Sequence, residues 1–173
     1  MKTLVLGGIR SGKSRFAEEL ASAGGNTVSY LATARAQDDE MRARIVAHRA
    51  RRPAHWRERE EPVQLALALR EQADDASCVL VDCLSLWLTN LLLADDPACA
   101  EREIDALLAC LPDCAGDILL VSTESNLGVV PMGELSRRYC DRVGLLHQQV
   151  AALCDRVVLV VAGLPHYLKG APD

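Results

Sequence analysis

Short apolar runs alternate along this chain with amphipathic stretches. Thr3–Leu6, Thr27–Leu31, Cys78–Val81, Ile118–Val121 and Val157–Val161 are rich in Val, Leu and Ile and barely alternate with polar residues. That pattern predicts strands covered on both faces. The stretches between them read as helices. The first starts near Lys13 and stops at Gly24-Gly25-Asn26, a glycine-rich C-terminal signal. A second, from about Asp38, sets Met41, Ile45 and His48 along one side and ends before Pro53, whose ring disfavours helix at Arg52. Pro62 suits the first turn of a third, running through Leu65 and Leu69. Leu84–Ala94, Pro97–Leu111 and Gly133–Leu153 complete the helical set. Strand, helix, strand in repeated order predicts an α/β fold of three layers, with a mainly parallel central sheet flanked by helices. At 173 residues the chain is expected to form one domain over 1–173.

Composition narrows the function classes. Half the residues are hydrophobic and a quarter charged, too apolar a mix for a disordered linker. A net charge of -5 and a 3% aromatic content argue against nucleic-acid binding, which needs positive fields or stacking platforms. No apolar run approaches the roughly 18 residues of a membrane span, and the N-terminus does not read as a signal peptide. The seven cysteines are odd in number, form no Cys-x-x-Cys pair and sit mostly in apolar stretches. They read as reduced, buried thiols of a cytoplasmic protein.

Lysine occurs only at 2, 13 and 169, and arginine gathers between Arg35 and Arg59. A planar, permanently charged guanidinium suits phosphate, so this segment is a candidate anion-binding surface. The neighbouring run Asp38-Asp39-Glu40 equally fits a solvated helix face.

Gly7-Gly8-Ile9-Arg10-Ser11-Gly12-Lys13-Ser14 fits G-x-x-x-x-G-K-S and lies between the first strand and the first helix, the context a phosphate-binding loop requires. Gly7 and Gly12 would let backbone N–H groups turn inward, Lys13 would reach the β- and γ-phosphates, and Ser14 would hold Mg²⁺. The loop makes the expected fold one of P-loop NTPase type. Asp82 ends the apolar run Val79-Leu80-Val81, where such proteins place a carboxylate that organises the metal. A helix N-cap is the other reading of Asp82. His48, followed by Arg49, Ala50, Arg51 and Arg52, is a candidate nucleophile. Nearby guanidiniums disfavour its charged form and keep the imidazole nucleophilic. A structural histidine is the alternative, and His55 beside Trp56 is a rival nucleophile.

At this point the chain resembles the bifunctional adenosylcobinamide kinase / adenosylcobinamide-phosphate guanylyltransferase family of cobalamin biosynthesis. The resemblance runs in order through the loop and Arg15, Tyr30-Leu31-Ala32-Thr33-Ala34, Asp39-Glu40-Met41, Arg44-Ile45, His48-Arg49, Arg52-Pro53 and Trp56. It continues through Asp82-Cys83-Leu84-Ser85-Leu86-Trp87, Thr89-Asn90, Gly128-Val129-Val130-Pro131, Arg138-Tyr139, Asp141 and Gly163-Leu164-Pro165. It implies two reactions: phosphorylation of adenosylcobinamide with ATP or GTP, then transfer of GMP from GTP onto the phosphate, giving adenosyl-GDP-cobinamide. It further implies that His48 carries GMP covalently. Nucleotide contacts would fall on Gly7, Gly8, Ile9, Arg10, Ser11, Gly12, Lys13, Ser14, Ala32, Thr33, Ala34, Arg49, Ala50, Arg51, Arg52, Glu60 and Asp82. Ser14 and Asp82 would hold Mg²⁺, and the family's assembly implies a homo-oligomer, a trimer.

The chain departs from the family at Thr123-Glu124-Ser125-Asn126, where Asn-Glu-Val-Gly is common. It has His147-Gln148 for Asn-Gln, and Glu58 for a common Thr. The first change bears on acceptor contacts. A monofunctional P-loop kinase of another small alcohol also fits the loop but leaves His48-Arg49 and Pro53-Ala54-His55-Trp56 without a role. A noncatalytic nucleotide-binding module would need no histidine among arginines.

Overall fold

The computed structural model describes residues 1–35, 38–50, 52–128 and 130–171, and of Arg44 only the backbone. One sheet runs through it. Its strands are β1 (Lys2–Gly7), β2 (Thr27–Ala32), β3 (Arg57–Glu60), β4 (Ser77–Asp82), β5 (Asp117–Thr123), β6 (Arg156–Val161) and β7 (Leu164–Lys169). The helices are α1 (Lys13–Ala23), α2 (Asp39–Arg49), α3 (Leu65–Gln72), α4 (Leu84–Leu92), α5 (Cys99–Cys110) and α6 (Glu134–Leu153). The strand order is β3-β2-β4-β5-β1-β6-β7, parallel throughout except for β7, which returns antiparallel to β6. The predicted three-layer architecture is the observed one.

Alternation along the inner strands explains why their sequences run continuously apolar. In β1, Leu4 and Leu6 face one core while Val5 faces the other; in β5, Ile118 and Leu120 oppose Leu119 and Val121. Side chains alternate across a strand, so a run without polar gaps is one with both faces covered. The larger core is closed by α3, α4, α5 and α6 through residues such as Leu69, Trp87, Leu107 and Val150. The smaller one lies under α1, where Ala17 and Ala21 meet the sheet, and extends to Tyr30 and Trp56.

All five predicted strands form, and two more flank them. β3 reads Arg-Glu-Arg-Glu, with no apolar periodicity to mark it. It pairs with β2 on its inner side only, and charges on an edge strand discourage further pairing. β7 is the opposite edge, joined to β6 by Ala162 and Gly163 at φ 53° and 80°, the left-handed pair of a tight hairpin turn. The helix at Pro62 begins later than the sequence suggests. Glu61 Oε1 accepts the N–H groups of Val63 and Gln64 at 3.1 and 2.8 Å, so those residues form a turn and the helix proper starts at Leu65. All seven cysteines are free, and only Cys140 is not buried. No helix among the described residues is long and apolar enough to cross a membrane.

His147 is a buried polar residue in α6. Its Nε2 lies 2.7 Å from Ser122 Oγ and its Nδ1 3.6 Å from Glu124 Oε2. Burial holds its pKa below the ordinary 6.5, with Glu124 opposing in part. A histidine kept neutral in the folded state is protonated first in the unfolded chain. The stability it confers is therefore complete above pH 6.5 and is lost as pH falls from there through the lowered folded value. The melting temperature should accordingly fall between pH 7 and 5 by on the order of a few °C more in the wild type than in His147→Asn. Parallel thermal melts check it; superimposable pH profiles would count against this role.

Candidate nucleotide-binding and transfer site

The loop between β1 and α1 is shaped by three close approaches. A Cβ on Gly7 would fall 2.4 Å from Ser11 Oγ and 2.6 Å from the Val160 carbonyl oxygen, so Gly7 serves by its size rather than by a left-handed backbone. Gly12 does need one, at φ 96°, and a Cβ there would lie 3.1 Å from Gly163 Cα. The β6–β7 turn thus buttresses the loop, and Gly163 N–H donates to Ser11 O at 2.8 Å. Sequence reasoning noticed Gly163-Leu164-Pro165 without seeing this use. Arg10 also takes a positive φ, 57°. Alternating backbone hands of this kind turn successive N–H groups into one concavity.

Helix α1 begins at this concavity with no side-chain cap and no acidic residue in its first turn. Its first N–H groups and its dipole are left for an anion. Lys13 Nζ curls back to donate to the Gly8 carbonyl at 3.2 Å, at the mouth of a cleft of about 970 Å³.

That cleft gathers most of the residues singled out from the sequence. Ile9, Arg10, Ser11, Gly12, Lys13 and Ser14 form one wall; Ala32, Ala34 and Asp82 lie at the sheet's C-terminal edge; His48, Arg52 and Glu60 come from α2 and the segment after it. Met41 and Ile45 line it with His48, as the helical spacing predicts. Gly7 and Gly8 are not among the lining residues. Arg49 and Ala50 stand outside the lining, Arg51 lies outside the described residues, and His55 is exposed away from the cleft in the turn before β3.

Thr33 is not in the lining either. It is wholly buried, its Oγ1 donating to Cys83 O at 2.7 Å and accepting from Cys83 N–H at 2.8 Å. Asn90 Nδ2 donates to its carbonyl at 2.8 Å. The side chain thus acts on the site through position, joining the ends of β2 and β4 just behind Asp82. Asp82 in turn accepts a 3.0 Å hydrogen bond on Oδ2 from Tyr30 Oη. Burial, then the charge of Asp82, drive the Tyr30 pKa upward, so the phenol stays a donor and fixes the carboxylate's direction.

The arginine-rich segment has partners that sequence reasoning missed. Glu58 Oε2 lies 3.0 Å from Arg52 Nη1, and Glu58 Oε1 also holds Arg49. The bond from Arg49 lowers the Glu58 pKa most strongly. The Arg52 guanidinium stacks 3.4 Å from the Tyr30 ring centroid, and Tyr30 stacks in turn on Trp56 with centroids 6.5 Å apart. Arg52 is therefore a held cation at the cleft wall, while Arg49 is exposed. An interleaved Arg-Glu pattern at 57–60 was the available signal, since β3 runs beside β2 and meets this face.

For a divalent cation, Ser14 and Asp82 offer a hydroxyl and a carboxylate oxygen in the same cleft. Two hard oxygen donors fit Mg²⁺, which takes few protein ligands and fills its shell with phosphates and water.

The fold and loop define a P-loop protein: strand, glycine loop, Lys-Ser helix start, and a carboxylate at the end of β4, one strand removed from β1. An ATPase of a bacterial type III secretion system shares the fold at a TM-score of 0.54 and 11% identity, over 91% of this chain and 51% of that one. A Pyrococcus horikoshii protein matches at a TM-score of 0.53 and 9% identity, over 99% of this chain and 87% of that one. The chain belongs to the cobinamide kinase / cobinamide phosphate guanyltransferase family, whose model matches residues 3–168. It is 61% identical over 172 residues to the bifunctional adenosylcobalamin biosynthesis protein CobP of Pseudomonas aeruginosa, covering 99% of each chain. To the bifunctional protein CobU of Salmonella typhimurium it is 40% identical, covering 98% of this chain and all of that one.

Proposed function

We propose that this chain phosphorylates adenosylcobinamide and then transfers GMP to the phosphate, both reactions using the cleft between the loop and α2. The observation that carries this reading is the meeting of Lys13, Asp82 and His48 in one cleft of a family member. A plain kinase needs the first two and has no use for the third.

In the first reaction the acceptor hydroxyl oxygen attacks the γ-phosphorus of ATP or GTP. The bond to the β–γ bridging oxygen breaks, the nucleoside diphosphate leaves and the hydroxyl proton is released. The loop N–H groups and Lys13 hold the phosphates in line. Ser14 and Asp82 would hold Mg²⁺, which neutralises phosphate charge when bound. In the second reaction a neutral His48 nitrogen attacks the α-phosphorus of GTP, pyrophosphate leaves, and a phosphorus–nitrogen bond links GMP to the protein. The phosphate of adenosylcobinamide phosphate then attacks that phosphorus, the bond to His48 breaks, and the diphosphate bridge of adenosyl-GDP-cobinamide forms. Splitting one displacement into two is the advantage of covalent catalysis. Arg52, held by Glu58 and Tyr30, would meet negative charge at the phosphates without reorganising.

The whole of 1–173 acts as one domain. The free thiols suit the cytoplasm, and the family resemblance supports a homotrimer. Incubation with adenosylcobinamide, Mg²⁺ and GTP should yield the phosphate first and the GDP derivative second, resolved by mass spectrometry. Chelation of the metal should stop the first. Accumulation of the phosphate alone would favour the monofunctional kinase.

A further inference from the structure

A second cavity, of about 430 Å³, lies between the segment after β5 and the first half of α6. Ser125 is the one residue among those described that lines both this cavity and the nucleotide cleft, so the two adjoin there. We propose that this cavity receives the corrinoid acceptor and directs its hydroxyl-bearing arm past Ser125 to the loop-bound phosphates. The inference rests on the proposed function and adds to it where the acceptor sits.

The wall is built rather than loose. Asn126 N–H donates to Glu124 Oε1 at 2.6 Å, and its Nδ2 donates to Cys140 O of α6 at 3.1 Å. That approach is possible because residue 144 is glycine: a Cβ there would stand 2.5 Å from Asn126 Nδ2. At the other end Arg137 Nη1 donates to the carbonyls of Pro131, at 3.3 Å, and of Met132. The loop is also tied to the phosphate site, since Glu124 N–H donates to Gly7 O at 3.0 Å.

The lining suits an amphipathic guest. Val130, Pro131 and Leu145 supply apolar surface, while Asn126, Asp141 and Gln148 offer hydrogen-bonding groups. A corrinoid presents the same mixture: a broad apolar ring edged with amides, and one long arm ending in the reacting hydroxyl. The cavity falls in the lower part of the range of about 300–1,000 Å³ typical of ligand pockets. It therefore takes the arm and one ring edge. Leu127, Val130 and Met132, exposed to 82%, 72% and 97% on the same loop, are then available to support the ring face. A small hydrophilic alcohol would need no such shelf. The reacting oxygen has to come within about 3.5 Å of phosphorus for transfer, which is why contact between the two cavities matters more than the size of either.

Two variants test this. Gly128→Trp puts bulk where a Cβ meets nothing within 4 Å, so the fold tolerates it while the cavity is obstructed. Val130→Asp places a charge on an exposed apolar position. Both should raise the KM for adenosylcobinamide about tenfold or more and change kcat by less than about threefold. Retention of α-labelled GTP on the protein and nucleotide affinity should stay at wild-type levels. An acceptor KM within about twofold of wild type in both variants overturns the inference, as does loss of nucleotide binding in both. A KM change that vanishes at protein concentrations restoring the wild-type sedimentation value would give the face to a second copy of the chain, and also overturns it. If the wild type itself fails to turn over adenosylcobinamide, the proposed function falls and this inference with it. Wild-type turnover with unaffected variants removes this inference alone.

Discussion

Lys13→Ala should lower both phosphoryl transfer and guanylyl transfer by about 10²–10³-fold or more, in a protein that stays folded. The folded state asks little of this side chain, whose visible bond is to the Gly8 carbonyl at 3.2 Å at an exposed site. The nucleotide asks much more. Inside the cleft the ammonium would face phosphate oxygens beside the uncapped start of α1, where an aimed charge costs no reorganisation during reaction. With one loop serving both donors, as proposed, the two activities should fall together. Thermal melts beside steady-state assays of each step check the result. A folded variant that keeps either activity would show that the two reactions use separate phosphate sites.

His48→Ala should divide what Lys13→Ala removes together. Guanylyl transfer should fall by at least about 10³-fold, because the proposed nucleophile is removed, while kinase turnover stays within about threefold. The separation follows from placement. His48 reaches the cleft from α2, on the side with Met41, Ile45 and Arg52, whereas the loop and Asp82 belong to the C-terminal edge of the sheet. His55→Ala should change neither, since His55 is exposed in the turn before β3 and outside the cleft lining. Separate assays of adenosylcobinamide phosphate and GDP-cobinamide formation decide it. Equal loss of both activities in a folded His48 variant would point to a structural histidine.

Much of the architecture was legible because burial leaves a mark in the sequence. Val5 and Leu6, or Leu119 and Leu120, face opposite cores, and that is why the strands could be read from runs of apolar residues. β3 left no such mark, because Arg57, Glu58, Arg59 and Glu60 meet charges and solvent at an edge. β7 was hidden for a related reason, being the far edge, with Pro165 and Lys169 among its residues. The start of α3 depended on Glu61 taking two backbone N–H groups, a side-chain choice that helix signals around Pro62 do not contain.

The site shows the same division. Gly12, Lys13, Ser14 and Asp82 are local in sequence to the elements that place them, so the loop spacing and the end of an apolar run were enough to single them out, and the structure brings Gly12, Lys13, Ser14 and Asp82 to one cleft. The partners of Arg52 come from Tyr30 on β2 and Glu58 on β3, and such contacts arise only when strands are brought side by side. The family resemblance implies nucleotide contacts at Ala32, Thr33 and Ala34 together. The Thr33 side-chain oxygen links two strand ends, a demand of tertiary structure. Ser11 Oγ is buried with no hydrogen-bond partner among the described residues, at the place where Gly7 leaves room for it. Only the packing of β6 against the loop, with the Val160 carbonyl oxygen facing Gly7, shows why residue 7 has no side chain.

The most direct test of the account is to incubate the protein with Mg²⁺ and GTP labelled at the α-phosphate, and in parallel at the γ-phosphate. The chain is then denatured and the retained label counted, with His48→Ala alongside. The wild type should retain α-label that is labile in acid and stable in alkali, as a phosphorus–nitrogen bond is, while γ-label and the variant leave none. Absence of α-label from wild-type protein that demonstrably binds GTP would contradict the account and leave a kinase without a guanylyl carrier.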